Sequence, residues 1–421
     1  MRLRDHAAPA IGTPRETAAL GGSLHLLATR RFGTFWFASL LSSIGTWTQQ
    51  VAEPWLLLAL GASPFLVGLD SFAATAPVWL LSIVGGTLAD RGDRRRIIAT
   101  FQSIQMLCPI AVVGLLMTGR IQPWMIIALS TIVGLTDAVS MPSFQSIVPS
   151  IVEHDQIGPA LALNSTQFNL SRIVGPSVAG LIMARSGALA CFVVSALSYV
   201  PFIGVALWIL PPRGFMPPRP HPSSILRNVG SILAVRAVRR SLLTVLATTI
   251  FCSPLLVFSP VLVREAFHGT AAQFSTAIAM FGVGGLAGAG ALLAIGPGVD
   301  RSRVASAFAI VYGGVVVLAA LNPVWWGLPI LLVVAGIAMT MSNTSANTVL
   351  QLTADPSDLG QTVSLYLLAL SSGNSIGSVL TGAAVSALGV RRALLANGLA
   401  AIVAQAVIVR IDRRSPAKEE R

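Results

Sequence analysis

Long apolar stretches separated by short polar breaks follow one another along the 421-residue chain. A hydrocarbon core of roughly 30 Å takes about 20 helical residues to cross. Because lipid offers no partner to an unpaired backbone group and strict alternation is absent, each stretch of that length is expected to be a helix. The pattern predicts twelve transmembrane helices, at 34–60, 65–89, 97–118, 124–146, 160–184, 188–210, 241–265, 272–295, 303–321, 325–349, 361–386 and 391–410.

A proline- and arginine-rich segment after the sixth span, "PPRGFMPPRPHPSSILRNVGSILAVRAVRR", cannot begin as a membrane helix. The chain therefore divides into two six-helix halves of an all-α membrane protein. The predicted divisions are a disordered cytoplasmic tail at 1–30, an N-terminal bundle at 31–210, a cytoplasmic linker at 211–240, a C-terminal bundle at 241–410 and a cytoplasmic tail at 411–421.

A weak internal repeat supports two related halves. "SRIVGPSVAGLI" in span five aligns with "GNSIGSVLTGAA" in span eleven, which matches Gly175 to Gly377 and Gly180 to Gly382. Parallel repeats of this type are typical of secondary transporters, which bind solute between their halves near the midplane.

The charge distribution sets the expected orientation. The chain is 54% hydrophobic and only 10% charged, yet its formal net charge is +12. With twelve spans, 22 of the 28 basic residues fall on the side of both termini, so the positive-inside rule predicts that both termini are cytoplasmic. The basic excess then anchors the topology, and nucleic-acid binding is not expected.

Other features exclude further classes of function. The three cysteines fall inside spans, where they resemble small buried hydrophobes. No disulfide, metal site or cofactor is expected, and the sequence contains no ATP-binding loop. We expect a monomer in the lipid bilayer that is not an enzyme.

Six charged side chains are concentrated in the loop after span two, within "GGTLADRGDRRRII". Asp90 ends the span, and its carboxylate can accept hydrogen bonds from Arg94 or from the amides of a facing helix, forming a conformational latch at the cytoplasmic end. The alternative is that the arginines only hold the loop against anionic lipid. The residues assigned to the latch are Gly86, Asp90, Arg91, Arg94 and Arg95.

This loop resembles the signature between spans two and three of the major facilitator superfamily. "SRIVGPSVAG" is similar to the Gly-Pro-rich fifth-span motif of antiporters in that superfamily, which implies a helix-packing role for Gly175, Pro176 and Gly180. Nearly the whole chain resembles the branch that contains the enterobactin exporter and related bacterial efflux proteins. The resemblance implies that span eleven faces Asp90. The chain departs from the loop signature at Asp93, where glycine is usual, and the fifth-span motif is one residue longer than usual.

Charged residues inside the spans are expensive unless they are paired, neutral or face a wet cavity. Asp137 in span four and Arg172 in span five lie at nearly one depth. An ion pair between them would satisfy both, and a proton or an anionic solute that competes for the pair could drive the conformational switch. The alternative is a static pair that holds two helices in register.

Glu53 and Asp70 flank the turn after span one by similar distances, and neighbouring carboxylates tend to share a proton. The pair would suit proton uptake. The alternative is that one or both side chains face the water outside. Polar residues expected to line the cavity are Ser165, Asn169, Asn343, Asn347 and Asn374, with hydrogen bonding between helices as the alternative role.

These features together predict a secondary active exporter of a small organic molecule, either siderophore-like or an amphipathic drug, that works by alternating access and proton antiport. A nutrient uptake permease of the same fold is the alternative. A membrane sensor is a third, less favoured hypothesis.

Overall fold

The computed structural model describes residues 25–91, 93–210, 230, 232–295, 299–353 and 359–414. Twelve long helices, α1 to α12, follow one another along these residues. The first six are α1 (Phe32–Ala59), α2 (Pro64–Arg91), α3 (Arg94–Met117), α4 (Pro123–Ile147), α5 (157–186) and α6 (188–208). The second six are α7 (Arg236–Phe251), α8 (Ala271–Ala294), α9 (Arg301–Leu321), α10 (Gly327–Thr353), α11 (Leu359–Leu388) and α12 (Val390–Arg414).

Each predicted span corresponds to one of these helices. Ten helices of the described residues are long and apolar enough to cross a membrane. One of them, Ile157–Trp208, contains two crossings, because the backbone leaves the helical conformation at Gly187. The φ angle there is 77°, which residues other than glycine rarely adopt. Helix α1 is 28 residues long but less apolar, since it carries Gln49, Gln50 and Glu53.

Local sequence explains where several helices begin. The Asp93 carboxylate accepts a hydrogen bond from the Arg95 amide at the start of α3, and Asp300 does the same for the first turn of α9. Thr270 and Gln273 form a reciprocal capping box at the start of α8. Asp93 thus has a role as an N-cap where the loop signature usually has glycine.

The seventh span is less regular than predicted. Regular helix ends at Phe251, and the chain continues through two short helical segments that begin at Ser253–Pro254 and at Ser259–Pro260, followed by a π-helical turn to residue 266. Each proline lacks the N–H that an uninterrupted helix requires, so the predicted uniform span 241–265 was wrong in this part.

The bundle boundaries also differ from the predicted divisions. A 3₁₀ turn at Leu26–Ala28 packs its Leu26 side chain into the core, so part of the predicted tail 1–30 is ordered. Helix α7 begins at Arg236 inside the predicted linker, and α12 continues to Arg414. Residues 1–24, 211–229 and 415–421 lie outside the described residues.

The two halves meet mainly through α2 against α11 and α5 against α8. The glycines of the internal repeat occupy equivalent places in this arrangement. Gly175 packs against Trp47 of α1 and Gly377 against Ile250 of α7, each inside its own half. In contrast, Gly180 packs against α8 and Gly382 against α2, each across the interface between the halves.

Three apolar cores lie along the molecule. The largest contains residues of both halves, among them Leu57, Phe192, Phe258 and Phe274. It lies at the end of the molecule that carries the α1–α2 turn, which we name the closed end. At the opposite end, where α1 begins and α12 ends, the described side chains form one core in each half. We name this end the terminal end.

Candidate functional site

Hydroxyl groups line the contact of α2 with α11 at the closed end. Ser71 hydrogen bonds to Ser378 at 3.0 Å, and Thr75 to Ser375 at 2.6 Å. Trp79 also donates its indole N–H to Ser375, at 3.2 Å. Because each of these bonds joins the two halves, opening this end requires that they break together.

Small residues line the second contact, between α5 and α8. A Cβ added at Gly180 would lie 2.5 Å from the Ser275 carbonyl oxygen, so the backbones touch with no room for a side chain. A Cβ added at Gly282 would clash with the Ser177 side chain. Helix α1 also contacts the other half. The Arg264 guanidinium donates to the Leu58 carbonyl oxygen of α1, and Trp55 of α1 stacks on Phe274 with ring centroids 5.3 Å apart.

Arg172 lies halfway along α5 and faces the other half of the protein. Its guanidinium lies near the Tyr366 hydroxyl on α11. That hydroxyl in turn donates to the backbone carbonyl of Asn343 on α10, at 3.5 Å. Tyr366 and Asn343 are buried, whereas Arg172 is partly exposed. The three residues connect α5 to the α10–α11 pair.

Amide side chains continue from this point towards the terminal end. Asn343 is buried, Asn347 is partly exposed and Gln351 is exposed, and all three share one face of α10. Gln351 donates to Asn347 at 3.3 Å. On α5, Asn169 donates to the Ser165 carbonyl oxygen at 2.9 Å, and both side chains are partly exposed. Asn374 is partly buried on α11, two turns beyond Tyr366.

Asp137 belongs to a different network, inside the N-terminal half. Its carboxylate accepts a hydrogen bond of 2.5 Å from Gln105 on α3. Gln105 accepts from Gln102 at 2.9 Å, and Gln102 accepts from Ser42 of α1 at 3.4 Å. The carboxylate is thus held by an amide chain that crosses from α4 to α1.

Glu53 and Asp70 are buried side by side between α1 and α2. Glu53 accepts a hydrogen bond from Gln49 at 2.7 Å, and Gln49 accepts from Ser195 of α6 at 2.9 Å. The Asp70 Oδ1 atom has no hydrogen-bond partner among the described residues. Two buried carboxylates with no cation between them favour a shared proton.

The structure does not bring Asp137 and Arg172 into the ion pair considered from the sequence. Among the described residues Asp137 is held by Gln105, and Arg172 lies beside Tyr366 instead. The two charges point to different halves, because α4 faces the interior of its own half at Asp137, whereas α5 faces the partner half at Arg172.

Tyr366 and Gln105 were missed by the sequence analysis, although each leaves a signal. The chain has only three tyrosines, and a tyrosine inside an apolar span needs a partner for its hydroxyl. Gln102 and Gln105 are spaced i to i+3 in span three, which places two amides on one helix face.

The predicted latch falls mostly outside the described side chains. Gly86, Asp90 and Arg91 lie in the last turns of α2 and Arg94 begins α3, but their side chains are not among those described. Arg95 is described: it lies 3.8 Å from the Asp93 carboxylate and donates to the Leu207 carbonyl oxygen at 3.4 Å. It therefore joins α3 to α6 within one half.

Comparison with known proteins supports a transporter. The family model described as "transmembrane secretion effector" matches residues 22–420. A staphyloferrin A transporter of Staphylococcus aureus is 28% identical over 260 residues, which cover 60% of this chain and 64% of that protein, slightly less than two thirds of its length. An enterobactin exporter of Citrobacter koseri is 24% identical over 376 residues, 86% of each chain.

Solved structures of low sequence identity share the fold. A bacterial homologue of the human lysosomal transporter Spinster, in an inward-facing and occupied conformation, superimposes with a TM-score of 0.69 at 17% identity. The superposition covers 96% of this chain and 100% of that chain.

Proposed function

Because the chain belongs to the transmembrane secretion effector family of the major facilitator superfamily, and so is a multi-pass membrane transporter and not an enzyme, we propose that it exports a small organic molecule by alternating access. The proposed molecule is siderophore-like or an amphipathic drug. Relatives described as a staphyloferrin A transporter and an enterobactin exporter favour this class of solute.

The distribution of the apolar cores carries this proposal. One core joins both halves at the closed end, whereas the described side chains at the terminal end form a separate core in each half. Two bodies joined at one end and separately packed at the other can rock about a midplane site, as alternating access requires. The amide face of α10 supplies a polar wall on the side of the terminal end.

The proposed orientation rests on the charges. The basic residues on the side of the termini support a terminal end in the cytoplasm and a closed end outside the inner membrane of a bacterium. In this arrangement the polar route reaches the cytoplasm, so solute loads from inside and leaves when the closed end opens.

Proton entry is the proposed energy source. Glu53, Asp70 and Asp137 are the acids held inside the N-terminal bundle, where they have amide or carboxylate neighbours and no ion pair among the described residues. Burial of an unpaired carboxylate favours its neutral form, so uptake and loss of a proton can accompany the change of state. The Asp90 latch, at the cytoplasmic end of α2, would close the terminal end while the closed end opens.

Export is tested in two steps. Metabolites and antibiotics are profiled in cells and medium, with and without the protein, in iron-limited and iron-replete cultures. Any compound that leaves cells only with the protein is then offered to everted membrane vesicles with an acidic interior. We expect accumulation in everted vesicles and its loss with a protonophore. Accumulation in right-side-out vesicles instead would establish uptake and refute export.

A further inference from the structure

Arg172 is the one basic residue of the described helices that lies more than about two turns from a helix end. A guanidinium at this depth is costly unless it is compensated. The described residues place no carboxylate in an ion pair with it, and the Tyr366 hydroxyl lies near it. A negatively charged partner is therefore missing from its surroundings.

A second unsatisfied group belongs to Asn343 on α10. The Asn343 side chain is buried with an exposed fraction of 5%, and its Oδ1 atom has no hydrogen-bond partner among the described residues. The Tyr366 hydroxyl links the two helices, since it lies near Arg172 of α5 and donates to the Asn343 backbone carbonyl of α10. Leaving a buried acceptor unsatisfied costs roughly 1–3 kcal/mol, so the position favours a ligand that supplies a donor.

We propose that Arg172 and Asn343 bind the part of the transported solute that carries an anionic oxygen next to a hydroxyl group, as in a 2-hydroxycarboxylate. Arg172 takes the anionic oxygen in a charge-assisted hydrogen bond, and the neighbouring hydroxyl donates to Asn343 Oδ1. This inference rests on the proposed transport function and names the chemical group that the site selects.

A row of amide side chains leads from the site towards the terminal end. The amides of Asn343, Asn347 and Gln351 run along α10 from the buried site to exposed positions at the terminal end. Polar side chains in this order offer hydrogen bonds to a solute that arrives from the cytoplasm, at a membrane depth where lipid would offer none. Because Arg172 belongs to one half and Asn343 to the other, a solute held by both bridges the halves.

The site predicts selectivity between small aromatic probes. Salicylate carries a carboxylate and an adjacent hydroxyl, salicylamide lacks the charge, and benzoate lacks the hydroxyl. Purified protein in lipid nanodiscs at low ionic strength is titrated with each probe by equilibrium dialysis. We expect salicylate to bind more tightly than either of the other two.

Variants assign the selectivity to the two residues. Arg172→Gln is expected to weaken salicylate binding by about tenfold or more, whereas Arg172→Lys, which keeps the charge, retains the preference over salicylamide. Asn343→Ala is expected to bind salicylate and benzoate equally. Arg410→Gln removes an exposed arginine near the end of α12 and should change nothing.

Clear results overturn the inference. Equal binding of salicylate and salicylamide to the wild type contradicts it, as does a preference that survives in Arg172→Gln or disappears in Arg410→Gln. Size-exclusion chromatography and the melting temperature identify a variant that fails to fold. If Arg172→Gln does not fold, Arg172→Lys is compared with the wild type, and loss of its preference for salicylate over salicylamide contradicts the inference. Selective binding without transport in vesicles would refute the proposed function and leave this site established.

Discussion

Gly180→Ala should shift the protein towards the state in which the closed end is open. The new Cβ would lie 2.5 Å from the Ser275 carbonyl oxygen in the other half, and a backbone oxygen cannot rotate away. The helices must separate instead. Overpacking of this kind costs about 1–3 kcal/mol, which corresponds to a change of roughly 5- to 150-fold in the equilibrium between the two states.

The assay measures how often the closed end opens. Ser378 is fully buried between α11 and α2, so a Ser378→Cys reporter can react with maleimide only during opening. The native cysteines, Cys108, Cys191 and Cys252, are buried and free and are replaced first. When opening is fast relative to the reaction, the labelling rate is proportional to the open population. Gly180→Ala should therefore label 5- to 150-fold faster, by the same roughly 1–3 kcal/mol.

Three other glycines provide graded controls. A Cβ at Gly382 would lie 3.3 Å from Gly68 of the other half, so Gly382→Ala should give a smaller increase. Gly290 on α8 has nothing within 4 Å of that position, so Gly290→Ala should label like the wild type. A Cβ at Gly175 would clash with Trp47 inside one half, so Gly175→Ala should lower the melting temperature without faster labelling of the Ser378→Cys reporter. Equal labelling of Gly180→Ala and Gly290→Ala would refute the reasoning.

Three further predictions concern charges. Asp90→Asn should abolish transport at unchanged membrane levels, since the amide cannot form the charged latch; unchanged transport removes the latch from the mechanism. Glu53→Gln, Asp70→Asn and Asp137→Asn should weaken the dependence of efflux on the pH gradient, and wild-type dependence in all three excludes a carboxylate relay. Arg240→Gln should lower the melting temperature, because Arg240 binds Asp412 at 2.9 Å and Ser306 at 2.9 Å. The expected loss in the free energy of unfolding is about 1 kcal/mol, since the pair is partly exposed. An unchanged melting temperature would contradict the last of these.

Hydropathy alone predicts most of the fold. Lipid forces each long apolar stretch into a helix, so the number of helices and their order follow from the sequence. The internal sequence repeat also matches Gly180 to Gly382, and both glycines lie at the interface between the halves. The broken part of α7 was missed, although Pro254 and Pro260 mark it.

The candidate site was less accessible to sequence reasoning. Depth along a helix can be counted at 1.5 Å per residue, so the sequence predicts similar levels for Asp137 and Arg172. Their directions depend on how each helix is rotated against its neighbours, which hydropathy does not report. The contact of Arg172 with Tyr366 depends in addition on the register between the two halves, which are separated by almost 200 residues of sequence.

The reciprocal movement of the two ends is the central claim, and paired distance measurements test it most directly. Spin labels at the exposed positions Arg96 and Arg303 report the terminal end, and labels at Arg120 and Trp326 report the opposite end. The distances between the labels are measured by double electron–electron resonance and compared in the Gly180→Ala and Gly290→Ala backgrounds. The account predicts that Gly180→Ala lengthens the Arg120–Trp326 distance and shortens the Arg96–Arg303 distance. A change at one end with the other unchanged would contradict it.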